Sequence, residues 1–346
     1  MTTVLESLNA ALHQALAADE RVLLLGEDIL DPYGGAFKVT RGLSDAFPGR
    51  VLTTPISEAG IVGAATGMAL RGFKPVVEIM FGDFLTLAAD QLINHTAKFR
   101  WMSNNQVSVP LVVRTPMGGR RGYGPTHSQT LEKLFLGVPG LRVLAPGPLG
   151  DPGKLLLDSI LHNEDPVLFV ENKLLYLLKV KPIGLDPEFE ITDILQEQMD
   201  PVQGGLAYAP AYTLKLRGSP PAAITLAAYG YMVELACQAA VRLAYEYEIF
   251  VEVIAPTQLA PFDLDGICAS VERTRRLVTI EEGSYDLGWG AEVVAQVAQT
   301  FGPRLLAAGR LAAANLPVPA SGPMEKAILP GVEQIIESCQ KLTLKR

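Results

Sequence analysis

Three cysteines in 346 residues are too few for a disulfide framework, and Cys237, Cys268 and Cys339 form no CxxC pair. Such usage leads to the expectation of a reducing, cytoplasmic location. Every apolar run is broken by charge or glycine before it reaches the length of a membrane span. The opening MTTVLESLNAALHQAL is amphipathic and lacks the basic flank and cleavage site of a signal peptide. Basic clusters are missing too. The 29 lysines and arginines are scattered and outnumbered by 37 acids, giving a net charge of -8, which argues against a nucleic-acid partner. There is no repeat, no low-complexity tract and no Walker-type or GxGxxG phosphate loop. His13, His95 and His162 have no metal-ligand spacing.

What is present suits a two-domain α/β protein: 49% hydrophobic and 19% charged residues, enough apolar material for two cores. Strand-like apolar runs at 22–25, 51–53, 75–79, 110–114, 142–145 and 167–170 alternate with helix-period segments near 5–16, 58–70, 85–102 and 154–161. Continuous apolar strands separated by helices predict a mostly parallel sheet covered on both faces. A second series follows, with strands at 224–229, 249–254 and 276–282 and helices at 233–245 and 264–271. Between the two series, 181–221 is rich in proline, glycine and acids and reads as a linker zone, with the boundary near 190–215. The tail LPVPASGPMEKAILPGVEQIIESCQKL is proline-punctuated and ends in an amphipathic helix, able to close over its own domain or to meet a partner.

The segment PISEAGIVGAATGMAL sets one acid, Glu58, at the head of an otherwise apolar helix. With Ser57 as N-cap, Glu58 falls in the first turn, where the helix dipole favours negative charge by about 0.3–1 kcal/mol. Helix stabilisation alone would account for it. Gly60, Gly63 and Gly67 strip one helix side of side chains, which costs up to about 1 kcal/mol each against alanine. Either a second helix or a ligand comes close there. Further on, RTPMGGRRGYGPTHSQTLEKLF runs from a strand end through a glycine-arginine loop to His127, placed just before a predicted helix. Loops at the carboxyl ends of parallel strands are where such folds carry chemistry, although a capping or loop-bonded histidine is the plain alternative. Arg120 and Arg121 could pair a substrate carboxylate, stay solvated or meet a partner subunit.

Taken together, LLGEDILDPYGGAFKVTRGLSDAFPGRVLTTPISEAGIVGAATGMALRGFKPVVEIMFGDF, DQLINHTAKFRWMS, THSQTLEKLF, VPGLRVLAP, LAAYGYMVELACQAA, VEVIAPTQLAPFD and RLVTIEEGSYDLGWGAEV resemble the β subunit of the thiamine-diphosphate-dependent 2-oxo acid dehydrogenases, of pyruvate and branched-chain type. The order and spacing match over nearly the whole chain. The resemblance implies an N-terminal transketolase-like pyrimidine-binding domain with a mostly parallel sheet (1–190), a linker (191–215) and a smaller α/β transketolase C-terminal domain (216–346). It implies that Glu58 hydrogen-bonds the aminopyrimidine of the cofactor and assists its tautomerisation. Ile56, Met80 and Phe84 would line that ring, Phe84 as a stacking or edge partner, while core packing explains Met80 and Phe84 equally well. His127 would face the reacting carbonyl.

The GDG…N segment that holds magnesium and the diphosphate in that superfamily is missing; GDF (82–84) and GDP (150–152) are the nearest strings. The resemblance therefore implies a partner α subunit carrying GDG…N in an α2β2 heterotetramer, and an acyl transfer to a lipoyl-bearing acyltransferase core. It further implies a potassium site at Leu111, Ile160, Leu161, Asn163 and Asp165, although acid and amide are exchanged here in N-E-D-P. Where relatives read DLRTL this chain has APTQL (255–259), which would alter a partner surface or regulatory contact. GPTHSQTLE is also similar to transketolase-type chains, so a split acyl- or ketol-transferase of specialised metabolism stands as the alternative. A non-catalytic scaffold is the third reading, which the presence of both Glu58 and His127 opposes.

Overall fold

In the computed structural model, which describes residues 2–194 and 209–343, the apolar runs form two sheets. The strands are β1 (Val22–Gly26), β2 (Val51–Thr53), β3 (Lys74–Glu78), β4 (Val112–Met117), β5 (Arg142–Leu144), β6 (Val167–Asn172), β7 (Phe189–Ile194), β8 (Ala211–Leu216), β9 (Ile224–Ala228), β10 (Val251–Pro256), β11 (Gln258–Ala260), β12 (Arg276–Ser284) and β13 (Ala307–Ala313). The α-helices are α1 (Val4–Ala18), α2 (Leu43–Ala46), α3 (Glu58–Leu70), α4 (Leu85–Asp90), α5 (Phe99–Met102), α6 (Pro152–Leu161), α7 (Met232–Tyr247), α8 (Asp265–Thr274), α9 (Trp289–Phe301), α10 (Gly322–Ile328) and α11 (Val332–Thr343).

The first sheet runs β11-β5-β6-β4-β3-β1-β2 and is parallel except for β11. The second runs β13-β12-β9-β10-β8-β7, parallel through β10, with β8 and β7 antiparallel. In β4 all six residues are buried, as expected of a central parallel strand covered on both faces. Each fully buried valine there contributes roughly 1.5–3 kcal/mol. Helix α1 starts at a reciprocal cap, Thr3 and Glu6 each bonding the other's amide. Its Val4, Leu8, Leu12 and Ala15 stripe is buried against the same core as Leu155 and Leu156 of α6.

Several sequence expectations are corrected. The zone read as a linker at 191–215 contributes β7 and β8 to the second sheet at its two ends; residues 195–208 lie outside the described residues. Alternation there (Phe189 and Ile191 buried, Glu190 and Thr192 exposed) was masked by flanking prolines and acids. The expected single helix over 85–102 breaks at a π turn, Gln91–His95. The Thr96 hydroxyl donates to the Gln91 carbonyl at 2.8 Å and meets Thr66 Oγ1 of α3 at 2.7 Å, which opens the helical ladder. The APTQL stretch belongs to the interior: β10 ends in it, and Gln258 begins β11, which pairs with β5 of the first sheet. The tail closes over its own chain, with Ile335, Ile336 and Cys339 of α11 buried in the core of the second domain.

Candidate active site

Sequence patterning positions the candidate residues on one edge. Glu27 follows β1, Ile56 and Glu58 follow β2, Met80 to Phe84 follow β3, His127 lies beyond β4, and Lys173 directly follows β6. Strands β6, β4, β3, β1 and β2 are neighbours in that order, so all these groups share the carboxyl edge of the sheet, where parallel folds expose their loops. Strands β2 and β4 are three steps apart, roughly 14 Å at ~4.8 Å per strand.

Glu58 opens α3 and is only 5% exposed, while Ile56, two residues earlier, is an apolar side chain at 83% exposure. Ser57 occupies the N-cap position without a side-chain capping bond, so helix capping is not its contribution. Behind Glu58 stands Glu27, whose carboxyl is pushed above the ordinary range by burial and then by the Glu58 charge. Glu27 Oε1 is buried with no hydrogen-bond partner among the described residues. On α3, a Cβ at Gly63 would stand 3.1 Å from Gln91 Oε1 of the π turn, whereas one at Gly67 would meet nothing within 4 Å. Close helix packing thus explains Gly63 and leaves Gly67 unexplained.

The His127 ring packs edge-on against Phe81 (centroids 4.7 Å apart) and Phe84 (5.4 Å), and its Nδ1 lies 3.1 Å from Thr126 Oγ1. No α-helix follows it; a loop leads to one 3-10 turn, Glu132–Leu134. The Lys173 ammonium donates to the His127 main-chain carbonyl and lies over the Phe81 and Tyr123 rings, 5.2 and 5.5 Å from their centroids. Burial lowers Lys173 to about 8, against the pull of Asp83 and Glu282. Asp83 accepts from Gln129 Nε2 at 2.8 Å, which ties the turn after β3 to the His127 loop. Met80 and Phe84 are half-buried, rather than sealed in the core.

Beneath the edge, Arg114 of β4 reaches Glu171 of β6 through Nε (2.9 Å) and Nη2 (2.6 Å), and Glu78 of β3 through Nη1. Tyr176 Oη donates to Glu171 at 2.6 Å. Burial acts to lower the guanidinium, but Glu171 and Glu78 outweigh it and hold Arg114 charged. Burial pushes Glu78 up despite that partner.

Arg120 is an internal anchor. Its Nη2 donates to the Pro330 carbonyl and its Cζ lies 5.8 Å from the centroid of the Tyr231 ring. Arg121 is exposed, with one long bond to the Lys173 carbonyl at 3.4 Å. At the positions matched to potassium, the oxygens face protein donors. Leu111 O accepts from Val167 N, Leu161 O from Lys74 Nζ, Asn163 Oδ1 from Arg142, and Asp165 pairs with Arg100; Ile160 is a buried residue of α6. These residues do not fit a free cation.

Sequence reasoning missed Glu27, Phe81, Tyr123 and Lys173. The available signal was positional: Glu27 and Lys173 are the first residues past the carboxyl ends of two parallel strands.

Comparison with known proteins identifies the family. The family model "Transketolase, pyrimidine binding domain" matches residues 1–179, and "Transketolase, C-terminal domain" matches residues 216–335. The pyruvate dehydrogenase E1 component subunit beta-1, mitochondrial, of Oryza sativa subsp. japonica is 38% identical, covering 98% of this chain and 86% of that protein. The chain belongs to the E1 β-subunit family. Another similar E1 β-type protein is the 3-methyl-2-oxobutanoate dehydrogenase subunit beta of Mycobacterium tuberculosis, 34% identical over 98% of this chain and 91% of its own length. The acetoin:2,6-dichlorophenolindophenol oxidoreductase subunit beta of Cupriavidus necator is 34% identical over 97% and 95%. A solved structure described as a split gene transketolase, an inactive beta4 tetramer, shares the fold of this E1 β-type chain, with a TM-score of 0.74 at 20% identity over the full length of both chains. No helix among the described residues is long and apolar enough to cross a membrane.

Proposed function

We propose that this chain supplies the pyrimidine-facing wall of a thiamine-diphosphate site shared with an α subunit, in a heteromeric 2-oxo acid dehydrogenase. The observation that carries the reading is Glu58, buried at the head of α3 beside Glu27, on the same sheet edge as Phe84 and His127. The donor set suits an aminopyrimidine: a buried carboxyl pair to share a proton with a ring nitrogen, and aromatic and apolar side chains for a flat heterocycle. When bound, the cofactor supplies the carbon nucleophile and electron sink that decarboxylation of a 2-oxo acid requires.

In this reading Glu58 holds a proton at the ring nitrogen, and Glu27 keeps a second carboxyl within electrostatic reach of it. Ile56, Met80 and Phe84 line the ring. His127, steadied by Phe81, Phe84 and the Lys173 ammonium, holds a proton toward the substrate carbonyl oxygen. The diphosphate and magnesium fall to the GDG…N segment of the α chain, in an α2β2 assembly that passes the acyl group to a lipoyl-bearing core. The exposed Ile56, Leu52 and Leu87 are apolar surface for an α chain to cover. The free thiols of Cys237, Cys268 and Cys339 suit a reducing, cytoplasmic location.

The test is Glu58→Gln, co-produced with the α chain and assayed on pyruvate and on 3-methyl-2-oxobutanoate with an artificial electron acceptor. Assembly is retained by size-exclusion chromatography, and turnover falls by about 10²–10⁴-fold, the scale of a lost proton-transfer group. Near-normal turnover rejects the reading. The relative named for acetoin oxidation favours a second substrate class, an α-hydroxy ketone in place of a 2-oxo acid. Turnover of acetoin with both 2-oxo acids inert selects it.

A further inference from the structure

We infer that the ammonium of Lys74, with Arg142 and Arg100 beside it, takes the place of a free monovalent cation at the turn that ends α6. Lys74 begins β3, and its Nζ donates to Leu161 O at 2.5 Å and lies 3.4 Å from the carboxylate of Asp19. Asp19 is held well below the ordinary carboxylate range by its hydrogen bond to Arg21, with Lys74 adding to the effect. Two residues past Leu161, the Asn163 side-chain oxygen accepts from Arg142 Nη1, whose Nη2 donates to Gln258 Oε1 at 2.6 Å. Arg100 closes the turn, with Nη2 2.8 Å from Glu164 Oε2 and Nε 2.7 Å from Asp165 Oδ1. Leu111 O is committed to the β4–β6 ladder through Val167 N at 2.8 Å.

A bare monovalent cation is held by several oxygens that face one point and replace its water shell. Here the oxygens of Leu161, Asn163 and Asp165 point instead at cationic donors from three separate elements. A cation entering among them would face three fixed positive charges, which repel it. Lys74 is tethered to the first sheet, so its charge sits on the turn whatever the salt composition. The turn bridges α6 and β6, and the same cations join it to Asp19 after α1 and to Gln258 of β11.

The test compares thermal unfolding of the purified protein in potassium, sodium and choline chloride at equal ionic strength, and locates thallium(I) by anomalous scattering in soaked crystals. The wild-type melting temperature is the same in all three salts, and no thallium peak appears at the turn. The Lys74→Met protein melts several degrees lower in all three salts, because Leu161 O and Asp19 lose their cation while Arg142 and Arg100 still occupy Asn163 and Asp165. A potassium-specific rise in the wild type, or a thallium peak between Leu161 and Asp165, overturns the inference. So does a folded Lys74→Met protein as stable as the wild type. If that variant does not fold, the two wild-type measurements decide alone.

Discussion

The carboxylate of Glu325, on the short helix α10 of the second domain, accepts the amides of Arg120 at 2.6 Å and Gly122 at 3.2 Å in the loop that leads to His127. Glu282 of β12 accepts the amide of Gly119 at 2.7 Å from the same side. The second domain thus holds the first domain's glycine-arginine loop by its backbone. Gly119 is required by this closeness, since a Cβ there would sit 2.7 Å from Leu329 and 3.0 Å from Glu325.

Glu325→Ala leaves two backbone donors without their acceptor in a half-buried setting. The expected cost is about 1–3 kcal/mol in urea unfolding. Hydrogen exchange rises at 119–124 while the β4 amides stay protected. Unchanged exchange in the loop means that the carboxylate does not hold it.

Much of this architecture can be read from the chain, and the reasons are local. Helix α3 begins and ends at the positions its apolar pattern predicts, 58 and 70, because Pro55 precedes it and Gly72 follows. Glu58 and His127 could be named from motif resemblance, and the carboxyl-edge rule places them on one side. Pairings distant in sequence stayed hidden. Nothing in APTQL announces that Gln258 will cross to β5, since its partner strand lies more than a hundred residues earlier, in the first domain's sheet. Lys173 reads as an ordinary surface lysine, yet it is 0% exposed. Its burial depends on Phe81, Tyr123 and the His127 carbonyl, contributed by other strands and loops.

Arg114 carries a second prediction. Removing it strands Glu78 and Glu171 in the sheet interior without their shared cation. Arg114→Met therefore costs about 3–5 kcal/mol, the scale for breaking a buried ion pair from one side. Arg114→Met combined with Glu78→Gln and Glu171→Gln recovers a large part of that loss, because the uncompensated charge is gone. Equal loss in the single and triple variants, read from urea midpoints, would show that packing rather than charge dominates at this position.

Glu281 gives the last prediction, a pH dependence. Its carboxyl is buried between β12 and the start of α9, and Oε1 accepts the Gly290 amide at 2.9 Å. Burial raises it from 4.5 to about 7, opposed by the Gly290 amide and reinforced by the charge of nearby Glu132. Glu132 is itself pushed up by burial, with the Tyr229 hydroxyl donating to it. Below its ordinary value Glu281 is protonated in both the folded and unfolded chain, and its favourable contribution is complete. As pH rises toward about 7 the unfolded chain has released a proton that the folded chain retains, so stability falls across that window and then levels. The full swing is about 3 kcal/mol at most. Glu281→Gln keeps an oxygen for the Gly290 amide and has no charge to bury. It should match the wild type near the acid end of the window, and exceed it above the window by about 1–3 kcal/mol in urea unfolding. A stability difference that is the same at both ends would mean that Glu281 stays ionised in the folded chain and that the gap comes from packing alone.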